Sequence, residues 1–328
     1  MSVVSWGAFK DQEALILEND SIKAVILPSW GAKTVSLLHK GLGIETLWQN
    51  PEPEFRRTGY GDSYDDGEFA GFDEMFPTVS RCFYDASPWA GTEVPDHGEV
   101  WTIPWEAVVE GESVTLSVSG TRFPYRLEKT LSLEGSKLVA RYAAANLSSI
   151  PLDFIWAAHP LFNATEGMRF IVPKGMRRAI NAVPSPTLGA YGERLDFPVC
   201  RRGDGGELRL DRVPPRNAVG YQKYWFAEKV TEGWCMIRDD ESELTVGLAF
   251  PREKVPYLGM WLNEGGYAGQ YNIAPEPATA AMDRIDFAKM WGMGNVIPSK
   301  SVYEWHLVIT LGAGKEPRGM SPSGEFRY

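Results

Sequence analysis

The sequence predicts an all-β protein, an antiparallel sandwich or barrel, and three observations carry that expectation. Short runs of β-branched and leucine residues recur between turn signals through most of the chain. Several of these runs alternate apolar and polar residues, the period of two that turns one face of a strand toward a core. No window of twelve or more residues carries a capped apolar stripe at helical spacing.

In chain order, Leu15–Glu18 and Ile22–Leu27 form a first pair, with Asn19-Asp20 between them as a hairpin-type turn. Ser113–Ser119 reads Ser-Val-Thr-Leu-Ser-Val-Ser, a clean alternation with one apolar face. Tyr125–Leu133 and Lys137–Ala144 follow, joined by Glu134-Gly135-Ser136. Trp234–Arg238, Leu244–Ala249 and Val302–Thr310 complete the strands. Four stretches, 49–75, 85–99, 173–206 and 263–295, read as irregular, and loops of that length in a compact domain usually serve function. Without a repeat or an interdomain linker, one large β-domain over 1–328 is the expectation.

Composition narrows the class. With 328 residues, 44% hydrophobic and 23% charged, the chain has the make-up of a soluble globular protein whose core needs no staples. Its 12 Trp, 13 Tyr and 15 Phe suit β-core packing, and also sites where rings stack on the C–H faces of a sugar. A net charge of −10 without a basic block argues against nucleic-acid partners. Cys82, Cys200 and Cys235 are few and lack metal-ligand spacing, so reduced thiols and a cytoplasmic location are expected. The N-terminus lacks the pattern of a signal peptide, and no stretch approaches the roughly 20 apolar residues of a membrane helix.

Three segments carry candidate chemistry: Pro-Asp-His-Gly-Glu-Val-Trp (95–101), Ala-Ala-His-Pro-Leu-Phe-Asn (157–163) and Ala-Pro-Glu-Pro-Ala-Thr (274–279). They hold His97, His159 and Glu276 in a chain with only four histidines. An imidazole and a carboxylate held across a small substrate can give one proton and take another, which suits isomerisation without a metal or cofactor. Taken singly, each residue also fits a structural role. His97 could bond its own turn, His159 could be a satisfied core histidine closing an apolar strand before Pro160, and Glu276 could be a surface residue in a proline-rich loop. The glycine after His97 is expected to let backbone approach a substrate.

Together with other motifs, these segments resemble the galactose mutarotase-like (aldose 1-epimerase) family. The resemblance begins at Leu27-Pro28-Ser29-Trp30-Gly31-Ala32 and continues through Gly71-Phe72-Asp73-Glu74-Met75-Phe76-Pro77 and the His97-Gly98 pair. His159-Pro160-Leu161-Phe162, Tyr257-Leu258-Gly259-Met260-Trp261 and Glu276-Pro277 complete it, from about residue 15 to the end. The resemblance implies a large antiparallel β-sandwich whose concave face binds a monosaccharide. It implies Glu276 as the base for the anomeric hydroxyl, His159 as the acid for the ring oxygen, and His97 as orienter. Arg81 resembles the family's hydroxyl-binding arginine, although a surface ion pair is an equal reading.

The chain also departs from the family. The phosphate-reading branch commonly carries an arginine just after the His-Gly pair, where this chain has Glu99-Val100-Trp101, expected to repel a phosphate. An unphosphorylated hexose is therefore expected over a hexose 6-phosphate, although Arg56-Arg57 could substitute. The family's hydroxyl-binding aspartate is not identifiable; Lys223 lies in the segment where it is expected, and Asp73 and Glu74 are acidic candidates from another loop. Trp261 and Trp101 are possible stacking platforms. Two further readings remain: a non-catalytic sugar-binding domain on the same scaffold, and a glycoside hydrolase pairing Glu276 with Asp73, Glu74 or Glu99. The expected partner is a small sugar, with a second copy of the chain left open.

Overall fold

The computed structural model describes residues 2–185, 187–202, 205–216 and 220–328. Its first hairpin shows how local sequence starts the architecture. Gln12–Glu18 pairs antiparallel with Ile22–Leu27, Leu15 lying opposite Ile26. Asn19 closes the turn by accepting the backbone N–H groups of Ser21 and Ile22 at 2.9 Å through Oδ1. Leu15, Leu17, Ile22, Ala24 and Ile26 are fully buried, so the hairpin enters the core at once.

Two large antiparallel sheets make up the β-sandwich. The larger has 13 strands. Along its main path run Val3–Phe9, Gln12–Glu18, Ile22–Leu27, Lys33–His39, Phe72–Met75 and Ala157–Pro160, then Tyr271–Ala278, Tyr257–Glu264, Tyr221–Phe226, Arg178–Asn181 and Arg194–Asp196. The other has 8 strands, in the order Arg169–Ile171, Trp234–Arg238, Leu244–Ala249, Val302–Ala313, Lys137–Asn146, Tyr125–Glu134, Ser113–Ser119 and Glu106–Glu110. One apolar cluster joins them, packing Leu15, Leu17 and Ile22 of the larger sheet with Val114, Leu116 and Leu131 of the smaller.

Every strand expected from alternation is present, several of them longer than the pattern indicated. The long stretches read as irregular are not wholly so. The 49–75 stretch contains a 3₁₀ turn, Tyr64–Asp66, and the strand Phe72–Met75. The 263–295 stretch contains the central strand Tyr271–Ala278 and a short helix, Ile285–Met290. Glu276 therefore sits in the middle of a sheet, not in a surface loop.

Pro275 and Pro277 fit inside that strand because its ladder is one-sided there. Toward Ala157–Pro160 and Phe162–Asn163 it pairs only at Asn272, Ile273 and Ala278, whereas on its other flank residues 271–278 all pair with Tyr257–Glu264. A residue without an N–H is tolerated where one neighbour is missing.

Candidate active site

The larger sheet places the candidate residues by register. Lys223 lies opposite Trp261 and Trp261 opposite Ala274; two positions along, Trp225 lies opposite Gly259 and Gly259 opposite Glu276. These two rows share one face of three adjacent strands. Gly259 is needed there, because a Cβ at that position would come within 3.0 Å of the Trp225 ring. The indole thus lies over the glycine, and its Nε1 donates to Oδ1 of Asp283 at 2.9 Å.

Glu276 is fully buried and His159 nearly so; His159 Nε2 stands 3.7 Å from Glu276 Oε1. Lys223 Nζ bridges two carboxylates, 3.3 Å from Glu276 Oε2 and 3.2 Å from Asp283 Oδ1. Neither carboxylate oxygen of Glu276 nor Nδ1 of His159 makes a hydrogen bond. Buried polar atoms without partners are costly in a finished core and are what a ligand site leaves available.

Two backbone features bring the remaining groups in. Met282 and Asp283 both adopt left-handed conformations, φ 73° and 62°. The Asp283 carbonyl is held in place by accepting the N–H groups of Val79 and Ser80 at 2.9 Å. Consecutive non-glycine residues in that region cost of the order of 1–3 kcal/mol each and persist where surrounding structure enforces them. His97 is likewise left-handed, φ 57°, with its N–H on the Val79 carbonyl at 2.7 Å. Its ring stacks on Tyr64 at 3.9 Å between centroids, lies 5.3 Å from the His159 ring, and has Nδ1 3.3 Å from Asp96 Oδ1. The close approach at Gly98 is to protein and not to substrate: a Cβ there would meet the Phe76 carbonyl oxygen at 2.0 Å.

Above this floor opens a cleft of about 290 Å³, lined by Tyr64, His97, His159, Lys223, Trp261 and Asp283 among others. Phe69, Tyr221 and Tyr267 add an aromatic wall. That volume lies at the small end of the range for ligand pockets, on the order of 300–1,000 Å³, and suits a single ring.

No family model matches the chain, and no curated protein matches it. Solved structures do match. The Slr1438 protein of Synechocystis sp. PCC 6803 is 17% identical with a TM-score of 0.70, covering 94% of this chain and 99% of that one. A galactose mutarotase related enzyme from Lactobacillus acidophilus is 16% identical with a TM-score of 0.64, covering 95% and 98%. A galactose mutarotase-like protein from Lactobacillus casei is 18% identical with a TM-score of 0.65, covering 91% and 100%. The fold is the galactose mutarotase-like β-sandwich.

On this mutarotase-like scaffold the sequence-derived residues separate into two groups. His97, His159, Lys223 and Trp261 line the cleft, and Glu276 lies beneath it against His159 and Lys223. Arg81 and Asp73 do not line it. Arg81 is half exposed, with Nη1 3.4 Å from Glu93 Oε1 and Nη2 donating to the Gly61 carbonyl at 3.2 Å. Asp73 is fully buried under Tyr64, accepting from Lys33 Nζ at 2.7 Å and from the Tyr64 hydroxyl at 2.8 Å. It supports the ring on which His97 stacks.

Glu99 is corrected in the same way. It is fully buried, accepting from the Tyr60 hydroxyl at 2.6 Å and the Arg122 N–H at 2.8 Å, and it does not line the cleft. Glu74 is committed to Lys129, Tyr142 and Trp156. None of the carboxylates weighed as hydrolase partners for Glu276 lines the cleft, and each has at least one oxygen bonded elsewhere. Trp101 packs in the cluster around Tyr64 and donates its Nε1 to the Asp96 carbonyl at 2.9 Å.

Tyr64, Asp96, Tyr221, Tyr267 and Asp283 were not singled out from sequence. Asp96 had a signal, as the immediate neighbour of His97. Asp283 had none, because its role depends on a left-handed turn 60 residues from Lys223 in the chain.

Burial shifts the protonation of both members of the pair. Burial pushes the Glu276 carboxyl up to about 7, with the Lys223 ammonium acting against it and the Asp283 carboxylate with it. Burial also drives His159 well below its usual value, helped by His97, Lys223 and Lys33. Asp96 goes the other way: burial would raise it, but His97 and the Tyr64 N–H hold it well below the carboxylate range. Burial thus biases the pair's proton toward Glu276 and His159 toward its neutral form. Because the two groups are in contact, that proton belongs to the pair.

Proposed function

We propose that the protein is an aldose 1-epimerase, interconverting the α and β anomers of an unphosphorylated sugar by opening and reclosing its ring. The observation that carries this reading is the buried His159–Glu276 contact at 3.7 Å, with His159 lining a sugar-sized cleft and Glu276 directly beneath it. Ring opening needs one proton delivered to the ring oxygen and one removed from the anomeric hydroxyl. A pair that holds a single proton near pH 7 has one to give and one site to fill.

With the sugar seated, the proton held by Glu276 passes to His159 as His159 gives its own N–H proton to the ring oxygen and the bond to the anomeric carbon breaks, which leaves Glu276 as the carboxylate. The Glu276 carboxylate takes the hydroxyl proton, leaving an open-chain aldehyde. Lys223 steadies that carboxylate, and Asp283 holds Lys223 in place. Rotation about the first carbon–carbon bond and reversal of both transfers gives the other anomer, and the pair regains its starting state. His97, fixed between Tyr64 and Asp96, donates toward the ring-oxygen side. The aromatic wall of Trp261, Tyr221 and Tyr267 offers faces for the sugar's C–H surfaces.

The preference for an unphosphorylated sugar rests on the cleft's charge rather than on Glu99. Asp65, Asp96 and Asp283 line the cleft against one lysine, which is already paired twice. Anomer-exchange NMR on a panel of free and phosphorylated aldoses tests the proposal. Acceleration of one or more free aldoses over buffer is expected, and no acceleration for any sugar would remove it.

A further inference from the structure

Next to the cleft lies a second, larger groove of about 560 Å³, lined by Trp48, Glu52, Arg56, Arg216, Tyr267 and Gln270 among others. The two share a wall: Asp65, Phe69 and Tyr267 line both. That wall is thin, an edge-to-face contact of Phe69 and Tyr267 at 5.3 Å, latched by the Tyr267 hydroxyl donating to Asp65.

Asn50, Asp65 and Gln270 are hydrogen-bonded within the protein, but four other polar groups of the groove are not, among the described residues. Neither guanidinium, Arg56 nor Arg216, has an ion-pair partner among the described residues, and Arg216 rests 5.8 Å from the Tyr271 ring. Two unpaired arginines in one groove are notable in a chain with a net charge of −10. Trp48 lines the groove, and its Nε1, although buried, donates to nothing. Glu52 adds an acceptor without an ion-pair partner among the described residues.

The geometry points to a subsite for a second sugar ring, so that the substrate is a reducing di- or oligosaccharide with its reducing ring in the cleft and the next ring in the groove. This inference rests on the epimerase reading for the cleft. A pyranose matches all three features of the groove at once. Its hydroxyl oxygens accept from guanidinium and indole N–H groups, its hydroxyl protons go to Glu52, and its apolar face covers an aromatic ring. A bare phosphate would use only the arginines and would meet Glu52 and Asp65 as like charges. The shared wall is what lets one molecule span both spaces, since a glycosidic bond needs only to cross the Phe69–Tyr267 edge.

The test compares glucose, glucose 6-phosphate, maltose, cellobiose and lactose by anomer-exchange NMR. The wild-type chain is set against an Arg56→Ala/Arg216→Ala double variant and a Trp48→Phe variant. Binding of the methyl glycosides of the same sugars, which cannot open, is measured in parallel by saturation-transfer NMR. At least one disaccharide is expected to exceed glucose in kcat/KM by about tenfold, the yield of two or three added hydrogen bonds, with most of that ratio lost in the double variant. Disaccharides no better than glucose in both exchange and binding would overturn the inference. A phosphate preference abolished by the double variant would overturn it in favour of an anion site. Arginine-dependent disaccharide binding without exchange of any sugar would sustain the groove and sink the epimerase reading instead.

Discussion

Nε2 of His159 stands 3.7 Å from Oε1 of Glu276, and the two carboxylate oxygens of Glu276 accept no hydrogen bond. If this contact is the proton-transferring pair, Glu276→Gln and His159→Ala each lower anomer exchange by about 10²–10⁴. The double variant should fall little further than the worse single one, because residues that act as a unit are not additive. NMR exchange rates, with melting curves to confirm folding, check this outcome. Exchange unchanged in both single variants would remove the assignment.

Glu276 also predicts a pH dependence of stability. Its carboxyl titrates at about 7 when folded against an ordinary 4.5 when unfolded, because burial disfavours the charge. Between those values the folded chain holds more protons, so this group's contribution is full below pH 4.5 and lost as pH rises through 7. The expected loss is about 3 kcal/mol across the window. Urea unfolding of wild type and Glu276→Gln at pH 5 and pH 8 measures it, since the variant should lack that component of the slope.

Lys223 and Asp283 act on Glu276 with opposite signs, the ammonium lowering its pKa and the carboxylate raising it. Catalysis should decline on the alkaline side as the pair loses its shared proton. Asp283→Asn should move that limb to lower pH and Lys223→Met to higher pH. A purely structural role for either would lower the rate without moving the limb, so full kcat/KM–pH profiles separate the two cases.

Glu99 supports the fold from a buried position, bonded to Tyr60 and the Arg122 backbone. Glu99→Gln should leave the ratio of glucose to glucose 6-phosphate exchange unchanged while lowering stability by about 1–3 kcal/mol, the cost of weakening bonds to a buried charge. A shift of that ratio toward the phosphate would restore Glu99 as a specificity residue.

How much of this was legible in sequence depended on which face of a strand meets water. Ser113–Ser119 and Tyr125–Glu134 alternate buried and less buried positions for much of their length, and the period of two finds them. Tyr257–Glu264 and Tyr271–Ala278 are buried at every position, so they carry no alternation, and the two prolines around Glu276 argue against a strand. The strands that build the cleft were therefore the ones periodicity could not find. Motifs picked out His97, His159 and Glu276, whereas Arg81 takes the surface ion pair that was its equal reading, and Asp73 and Glu99, weighed as a hydroxyl-binding candidate and a phosphate-repelling residue, lie buried on other partners.

By itself, the sequence determined an all-β chain without basic blocks or metal-ligand spacing, and two histidines and a glutamate in motifs that resemble one family. Those properties follow from residue type and local spacing. Tertiary structure alone decided that Lys223 and Asp283 belong with Glu276, that Tyr64 carries His97, and that a second groove adjoins the cleft. It also set the directions in which burial moves the pKa values of Glu276 and His159. A carboxyl's pKa is set by its desolvation and by charges brought within a few ångströms, and both arise only when distant strands close over it.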